Sequence, residues 1–499
     1  MAYLMGIDIG TSSTRVLLMD YDGGIVSIGQ KEYSFDVPKE GWAEQDPEVW
    51  WNSVEYCIKQ IFLNSSVKKE DITGIGFSGQ MHGLVALDEN KTPIRKAILW
   101  CDQRSKEEVK DIEEKLGRDK IGQITHSPIA TGFLLPSLLW LKNHEKDTYN
   151  KIKYVFLPKD YIRYKMTGII ASEITDAAST TAFDCNTNNW SKEILDSLDI
   201  SLSLFPKLGK VEELAGKLTY QAAKYLNLNE GTKIAYGGAD QVMQAIGNGV
   251  VKPGSALVTI GSGGQILMPL DSLVYDDKLR SHCFSFVENR CYYMGAALAS
   301  GLSLKWMKNN IDIDESYKEM DKKIEKIKAG SEGLIFLPYI LGERTPLMDP
   351  EARGVLFGLT SKHTKYHILR AVMEGVVYSL RSCKDILEKD LSQKVDYFIA
   401  TGGGSQSKVW LQMQADILDS EIYTSNMKEQ SGVGAAISAG IAIGVYKSYE
   451  DAFGKIIKLN KETIKPIAEN VELYNKYFRI YENLYINTKD NMHELSLNN

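Results

Sequence analysis

The sequence has no surplus of positive charge. Its 499 residues carry 58 Lys and Arg against 65 Asp and Glu, a net charge of −7, so no basic field attracts nucleic acid or an anionic membrane, and neither is expected as a partner. Cysteine is sparse. Cys57, Cys101, Cys185, Cys283, Cys291 and Cys383 form no C-x-x-C and no spacing with histidine that would close a zinc site, which leaves buried, reduced thiols. Long apolar runs are missing too: the longest, 433–445, is broken by a serine and three glycines and falls short of the roughly 18–20 residues that span a bilayer. The residues before Asp8 lack a basic stretch, so a secretory signal is not expected and a cytoplasmic location is. No G-x-x-x-x-G-K-[ST] occurs, which excludes a P-loop. What remains, 43% apolar and 25% charged, has the balance of an ordinary globular protein. The length suits about two to three domains acting on a small ligand.

Strand and turn signals come early. Residues 5–10, 15–19 and 24–30 read as short strands, with Asp22-Gly23-Gly24 as a hairpin turn. A helix is expected from Asp46-Pro47, the acid as N-cap and the proline at N1. Residues 71–78 and 84–87 read as further strands, so an α/β layer architecture follows. The second half repeats the pattern. Residues 233–240 read as a strand ending in glycines and Asp240, residues 255–260 as a strand entering Gly261-Ser262-Gly263-Gly264, and 395–401 as a strand entering Gly402-Gly403-Gly404-Ser405. The repetition favours two like-built halves facing a shared cleft, with a boundary near 244–255, taken as 1–247 and 248–499.

Three glycine turns and two acids carry the chemistry. In Asp8-Ile9-Gly10-Thr11-Ser12-Ser13, free amides and hydroxyls of a tight turn suit phosphate oxygens, and the carboxylate beside them can hold a hydrated divalent cation. Asp8 could equally cap backbone donors, and Asp240 could be an N-cap for the helix starting at Val242. Gln80-Met81-His82-Gly83 lies at a strand end, where open α/β sheets bind ligands and where its polar groups suit sugar hydroxyls. Trp100 to Arg104 reads as a buried Arg–Asp and tryptophan cluster, and Gly342-Glu343-Arg344-Thr345-Pro346 as a loop that shapes a cleft or braces two domains. A G-x-G-x-x-G string at Gly74–Gly79 nominally marks a dinucleotide site. The fingerprint needs a helix next, and here loop and strand follow.

Taken in order, these strings resemble the FGGY carbohydrate kinases, and most closely the xylulokinases among them. The resemblance runs nearly end to end, through 6–12, 42–47, 79–83, 97–100, 157–161, 237–240, 261–263, 336–346 and 402–405. It implies two actin-like, RNase H-type α/β domains flanking a catalytic cleft, in which ATP with Mg²⁺ meets a sugar, D-xylulose first, with another ketose, a polyol or a sugar acid as alternatives. It implies Asp240 as general base and Asp8 as the metal-associated acid. Thr11, Ser12, Ser13 and Arg15 would serve the first phosphate loop and Ser262 and Gly263 the second. Gly301, Gly403, Gly404, Ser405 and Lys408 would surround the adenosine. Gln80, Met81, His82 and Gln241 would join Asp240 around the sugar. A homodimer is the expected assembly. The sequence departs from the pattern at Gln241, where xylulokinases usually have Asn, at Arg15, where many relatives have Lys, and at Cys101, where Asn is usual. These positions bear on sugar identity more than on reaction type. A non-metabolic actin-like ATPase and a sugar-binding regulator are the rival classes.

Overall fold

The computed structural model describes residues 2–425 and 427–497. The chain forms two compact units, one of Met1–Val251, Cys283–Cys291 and Met427–Lys458, the other of Lys252–His282, Tyr292–Asn426 and Leu459–Asn499. Residues 427–458, which the sequence reading places with the second half, therefore belong to the first unit.

The first unit is built on a mixed sheet in the order Leu214–Lys217, Lys233–Ala235, Ile72–Gly79, Tyr3–Ile9, Ser13–Asp20, Ile25–Glu32, with Gly238–Ala239 also pairing to Ile72–Gly79. Tyr3–Ile9 runs antiparallel to Ser13–Asp20 and parallel to Ile72–Gly79. One face is covered by the Pro47–Leu63 helix, whose N-cap Asp46 accepts a hydrogen bond from the Glu48 amide and whose Trp50, Val54, Ile58 and Ile61 are buried. The same N-cap and N1 proline that mark a helix start in the sequence begin it here.

The other face is covered by the Gln430–Ala442 helix, and glycine makes the fit. A Cβ on Gly6 would lie 1.9 Å from the Gly432 carbonyl oxygen, and one on Gly76 would lie 2.0 Å from that of Ala435. The G-x-G-x-x-G string is thus strand, with Gly76 admitting the helix and Gly79 admitting Lys159, whose Cβ would be 2.7 Å away. The same helix presses on the Asp240–Gly247 helix, since a Cβ on Gly434 would meet the Met243 carbonyl oxygen at 2.0 Å. A second core within this unit gathers Leu134, Leu135, Leu138 and Trp140 of the Leu134–His144 helix with Ile112, Ile194 and Phe205.

The second unit repeats the hairpin-plus-parallel-strand plan. Ser255–Ile260 pairs antiparallel with Gly264–Leu270 through the Gly261-Ser262-Gly263 turn and parallel with Tyr397–Thr401, which pairs in turn with Glu421–Thr424. The Gly301–Asn310, Lys365–Asp385 and Lys408–Leu418 helices belong to this unit, and the Ala468–Leu497 helix docks Tyr474, Phe478 and Tyr481 into its core. Among the described residues no helix is long and apolar enough to cross a membrane.

Candidate active site

In the first unit, the turn after Tyr3–Ile9 is held rigid by its carbonyls. The Tyr33 hydroxyl donates to the Gly10 carbonyl at 2.7 Å, the Gln45 amide to that of Thr11 at 3.3 Å, and the Tyr33 amide to that of Ser12 at 2.9 Å. Among the described residues nothing accepts from the backbone amides of Thr11 and Ser12, so the turn presents donors, the polarity an anion needs. The Thr11 hydroxyl is already committed, donating to Gln80 Oε1 at 3.0 Å and accepting from Trp100 Nε1 at 2.9 Å. Arg15 is paired with Glu429 at 3.0 Å.

Two carboxyls share this region. Asp8 lies on Tyr3–Ile9, opposite Ser78 on the parallel strand, and the Ser78 hydroxyl donates to its Oδ1 at 2.6 Å. Burial raises Asp8 above the usual carboxylate range, with Glu429 adding to it and Ser78 and Arg15 opposing. Asp240 opens the Asp240–Gly247 helix, with Ala239 as the N-cap, so it is not a cap itself. The strand read over 233–240 breaks at Gly237, whose φ of 69° is left-handed and whose Cβ would strike the Phe77 carbonyl oxygen at 2.2 Å. Burial and the neighbouring Asp8 charge push Asp240 up to about 7, against hydrogen bonds from the Gln241 backbone and side chain. Both residues are half-buried.

Gln80, Met81 and His82 follow the Ile72–Gly79 strand. Gln80 is anchored by its amide to the Ile9 carbonyl at 2.9 Å, and Met81 is buried. His82 adopts a left-handed φ of 69°, rare and costly for a residue with a Cβ. Its ring stacks on Phe133 at 4.0 Å and 7°, and its Nδ1 lies 2.7 Å from the Ser179 carbonyl oxygen. A carbonyl only accepts, so Nδ1 carries a proton. The expected Arg–Asp cluster forms next to this segment. Arg104 binds Asp102 at 2.8 Å and Glu44 at 2.7 Å, while its guanidinium lies over Trp42 and Trp140 at 3.7 and 5.0 Å. Trp100 stays outside it and reaches Thr11 instead.

In the second unit the structure brings Ser262, Gly301, Gly403, Gly404 and Lys408 to one cavity of ≈ 830 Å³, with Leu302, Tyr317, Met320 and Val409 as apolar walls and Asp321 and Gln406 as polar groups. Gly263 and Ser405 adjoin these residues in the chain and are not among its lining. The amides of Gly301 and Leu302 donate to the carbonyls of Gly261 and Ser262 at 2.8 and 3.1 Å, and a Cβ on Gly301 would lie 2.4 Å from the Gly261 oxygen. Glu343, in the polar loop after Ile335–Leu337, braces the same region within this unit: Oε1 accepts from the amides of Leu298 and Arg344 at 2.8 Å each and Oε2 from the Ser379 hydroxyl at 3.0 Å. Burial pushes its carboxyl up to about 7, against those three hydrogen bonds.

A model of the FGGY family of carbohydrate kinases, N-terminal domain, matches residues 3–247, and its C-terminal domain model matches 258–443. The chain belongs to this family. FGGY kinases use ATP, and the non-metabolic ATPase and dead-regulator classes give way to a carbohydrate kinase. The xylulose kinase of Lactococcus lactis subsp. lactis is 36% identical over 496 residues, 99% of each chain. Among solved structures, the ligand-bound xylulose kinase from Lactobacillus acidophilus superposes with a TM-score of 0.94 at 27% identity, covering 99% of this chain and 100% of that one. The gluconate kinase from Lactobacillus acidophilus gives 0.92, also at 27%, covering 98% of each. The fold of this FGGY kinase is therefore that of solved family members.

Three residues facing these groups are not singled out by the sequence reading. Ser78, which binds Asp8, sits inside the discounted glycine string, and Glu429, which binds Arg15, lies more than 400 positions away. Thr175 accepts a hydrogen bond from the amide of Ala239, the residue before Asp240, at 3.2 Å. Only Ser78 had a local signal, as the hydroxyl residue at a strand end.

Proposed function

We propose that this FGGY kinase transfers the γ-phosphoryl group of ATP to a hydroxyl of D-xylulose, forming D-xylulose 5-phosphate, with Asp240 as the general base. The observation that carries the reading is Asp240 itself, a half-buried residue at a helix start, its carboxyl pushed up to about 7 by burial and by Asp8. A base with a pKa near the working pH is both deprotonated often enough and basic enough to take the hydroxyl proton. Phosphoryl transfer through a loose transition state asks the protein mainly for position and charge compensation. On the first unit the amides of Thr11 and Ser12 would supply charge compensation, and the second unit's cavity at Ser262, Gly301, Gly403 and Lys408 would take an adenosine. His82, with its ring fixed on Phe133 and its Nδ1 on the Ser179 carbonyl, would line the sugar together with Gln241. Gln80 and Met81 would form the floor.

The residues present suit Mg²⁺. Asp8 Oδ1 is bound by Ser78, and among the described residues no donor reaches Oδ2. Mg²⁺ usually takes one or two carboxylates and completes its shell with water and phosphate oxygens, and the described residues contain no richer cluster of ligating side chains. Asp8 would hold the ion, which when bound supplies neutralisation of phosphate charge.

Among the described residues, Arg15 is paired with Glu429, Arg104 with Asp102 and Glu44, and Lys159 with Asp160, Glu173 and Asp176. That favours a neutral ketose over a sugar acid, although a gluconate kinase is among the structural relatives. The deciding assay couples ADP release to a panel of D-xylulose, D-ribulose, glycerol, erythritol and D-gluconate, compared by kcat/KM. D-Xylulose should lead by at least about tenfold. A larger kcat/KM for gluconate would overturn the substrate, and Asp240→Asn with near-normal kcat, against an expected fall of about 10²–10⁴, would overturn the base.

A further inference from the structure

Within the first unit lies a group of charges that the reaction does not touch. Lys159 has no solvent exposure, and its Nζ stands 3.0 Å from Asp160, 3.1 Å from Glu173 and 2.8 Å from Asp176, all three equally buried. Arg163 joins through Asp160 at 2.8 Å. Burial drives Asp176 up to about 8 despite Lys159, with Glu173 and Asp160 adding to the rise, whereas Lys159 and Arg163 overcome the same burial at Asp160 and hold it below the usual range. Three acids then face two cations. Such a cluster seldom adds stability over a well-packed apolar one, so its retention asks for another use.

Its outward bonds show one. Glu173 receives the Thr175 hydroxyl at 3.0 Å and the Thr175 amide at 2.7 Å, which fixes the Thr175 side chain, and Thr175 Oγ1 then accepts the Ala239 amide at 3.2 Å. Arg163 donates to the Tyr236 carbonyl at 3.1 Å. The two bonds grip the Tyr236-Gly237-Gly238-Ala239 segment at both ends, directly before Asp240. Two glycines make that segment the easiest place for the backbone to shift. A third bond runs from the Ser179 hydroxyl to the Asp176 carbonyl, and Ser179 is the residue whose own carbonyl holds His82.

We propose that the buried Lys159–Glu173 ion cluster is a positioning device that sets the Asp240 carboxyl through Thr175. The proposal rests on Asp240 being the base. Thr175 touches no reacting atom; it acts through the Ala239 amide. Thr175→Val keeps the shape of the side chain and removes both of its hydrogen bonds. It should lower kcat about 10–100-fold, as expected for sub-ångström displacement of a reacting group, with KM for ATP unchanged. Thr175→Ser restores the acceptor and should return kcat to within about threefold. Amide exchange of the 236–240 segment should quicken in Thr175→Val and not in Thr175→Ser. In the Asp240→Asn background, Thr175→Val should change the residual rate less than about twofold, because the group it positions is gone. If Thr175→Val proves insoluble, Thr175→Ala carries the same expectations. Full kcat in Thr175→Val, or an equal loss in both backgrounds, would overturn the positioning role while leaving the base in place. Near-normal turnover of Asp240→Asn alone would instead remove the base, and the proposal with it.

Discussion

Asp240 is held in a state that suits catalysis and strains the fold, and the two effects can be measured on one variant. Its pKa rises from 3.8 to about 7, chiefly through burial and secondly through Asp8. Between those values the native protein keeps a proton that the unfolded chain has released, so stability falls as pH rises through the window and levels off above it. At about 1.4 kcal/mol per pH unit the full displacement corresponds to about 4 kcal/mol, and the half-buried position of the residue lets water screen roughly half. Asp240→Asn has nothing to ionise. It should therefore gain on the wild type as pH rises, by about 1.4 kcal/mol between pH 5 and pH 8 once two pH units at about 1.4 kcal/mol each are halved, which for a unit of this size is about 3 °C in Tm. Melting curves of both proteins without nucleotide, from pH 5 to 8.5, read the difference directly. The same ionisation should appear as an acid limb in kcat/KM with its midpoint near 7. A Tm difference that does not vary with pH, or an acid limb below about pH 5, would refute the argument that burial and Asp8 set this group.

Two further substitutions probe separate parts of the molecule. Gly76→Ala places a Cβ 2.0 Å from the Ala435 carbonyl oxygen, and because the obstacle is backbone the loss should reach at least about 3 kcal/mol, seen as a large Tm drop or failure to accumulate soluble protein; a melting point within about 2 °C of wild type would contradict the packing described. His82→Gln removes the ring that stacks on Phe133, and should raise KM for the sugar about tenfold while leaving KM for ATP alone; the opposite split would take His82 out of the sugar site.

The parts of this fold that were legible in the sequence are those whose signals are local. Asp46-Pro47 at a helix start and Gly261 to Gly264 between two apolar runs each report on their own neighbours, and each matches the element found. The glycines of 74–79 read as strand and are strand, but the partners that call for them lie far off: Gly76 meets a helix more than 350 residues later and Gly79 meets Lys159, and no short window on the sequence contains either pair. The ion cluster at Lys159 was hidden for a different reason. Lysine, aspartate and glutamate are ordinarily surface residues, so their burial is apparent only when Lys159, Glu173 and Asp176 are seen together. At the candidate site, Asp8, Asp240 and Gln80 to His82 stood out through strand ends and turns, while Ser78, Thr175 and Glu429, which hold them or their neighbours, carry no motif of their own.

The close seat of the Gln430–Ala442 helix on Gly6 and Gly76 also sets an order of events during synthesis. The first unit has one sheet face left bare until a segment near the far end of the chain has left the ribosome, so its folding cannot finish while the second unit is being made. A fragment ending at residue 247 would keep Asp8, His82 and Asp240 yet lack the helix that fits against their strands.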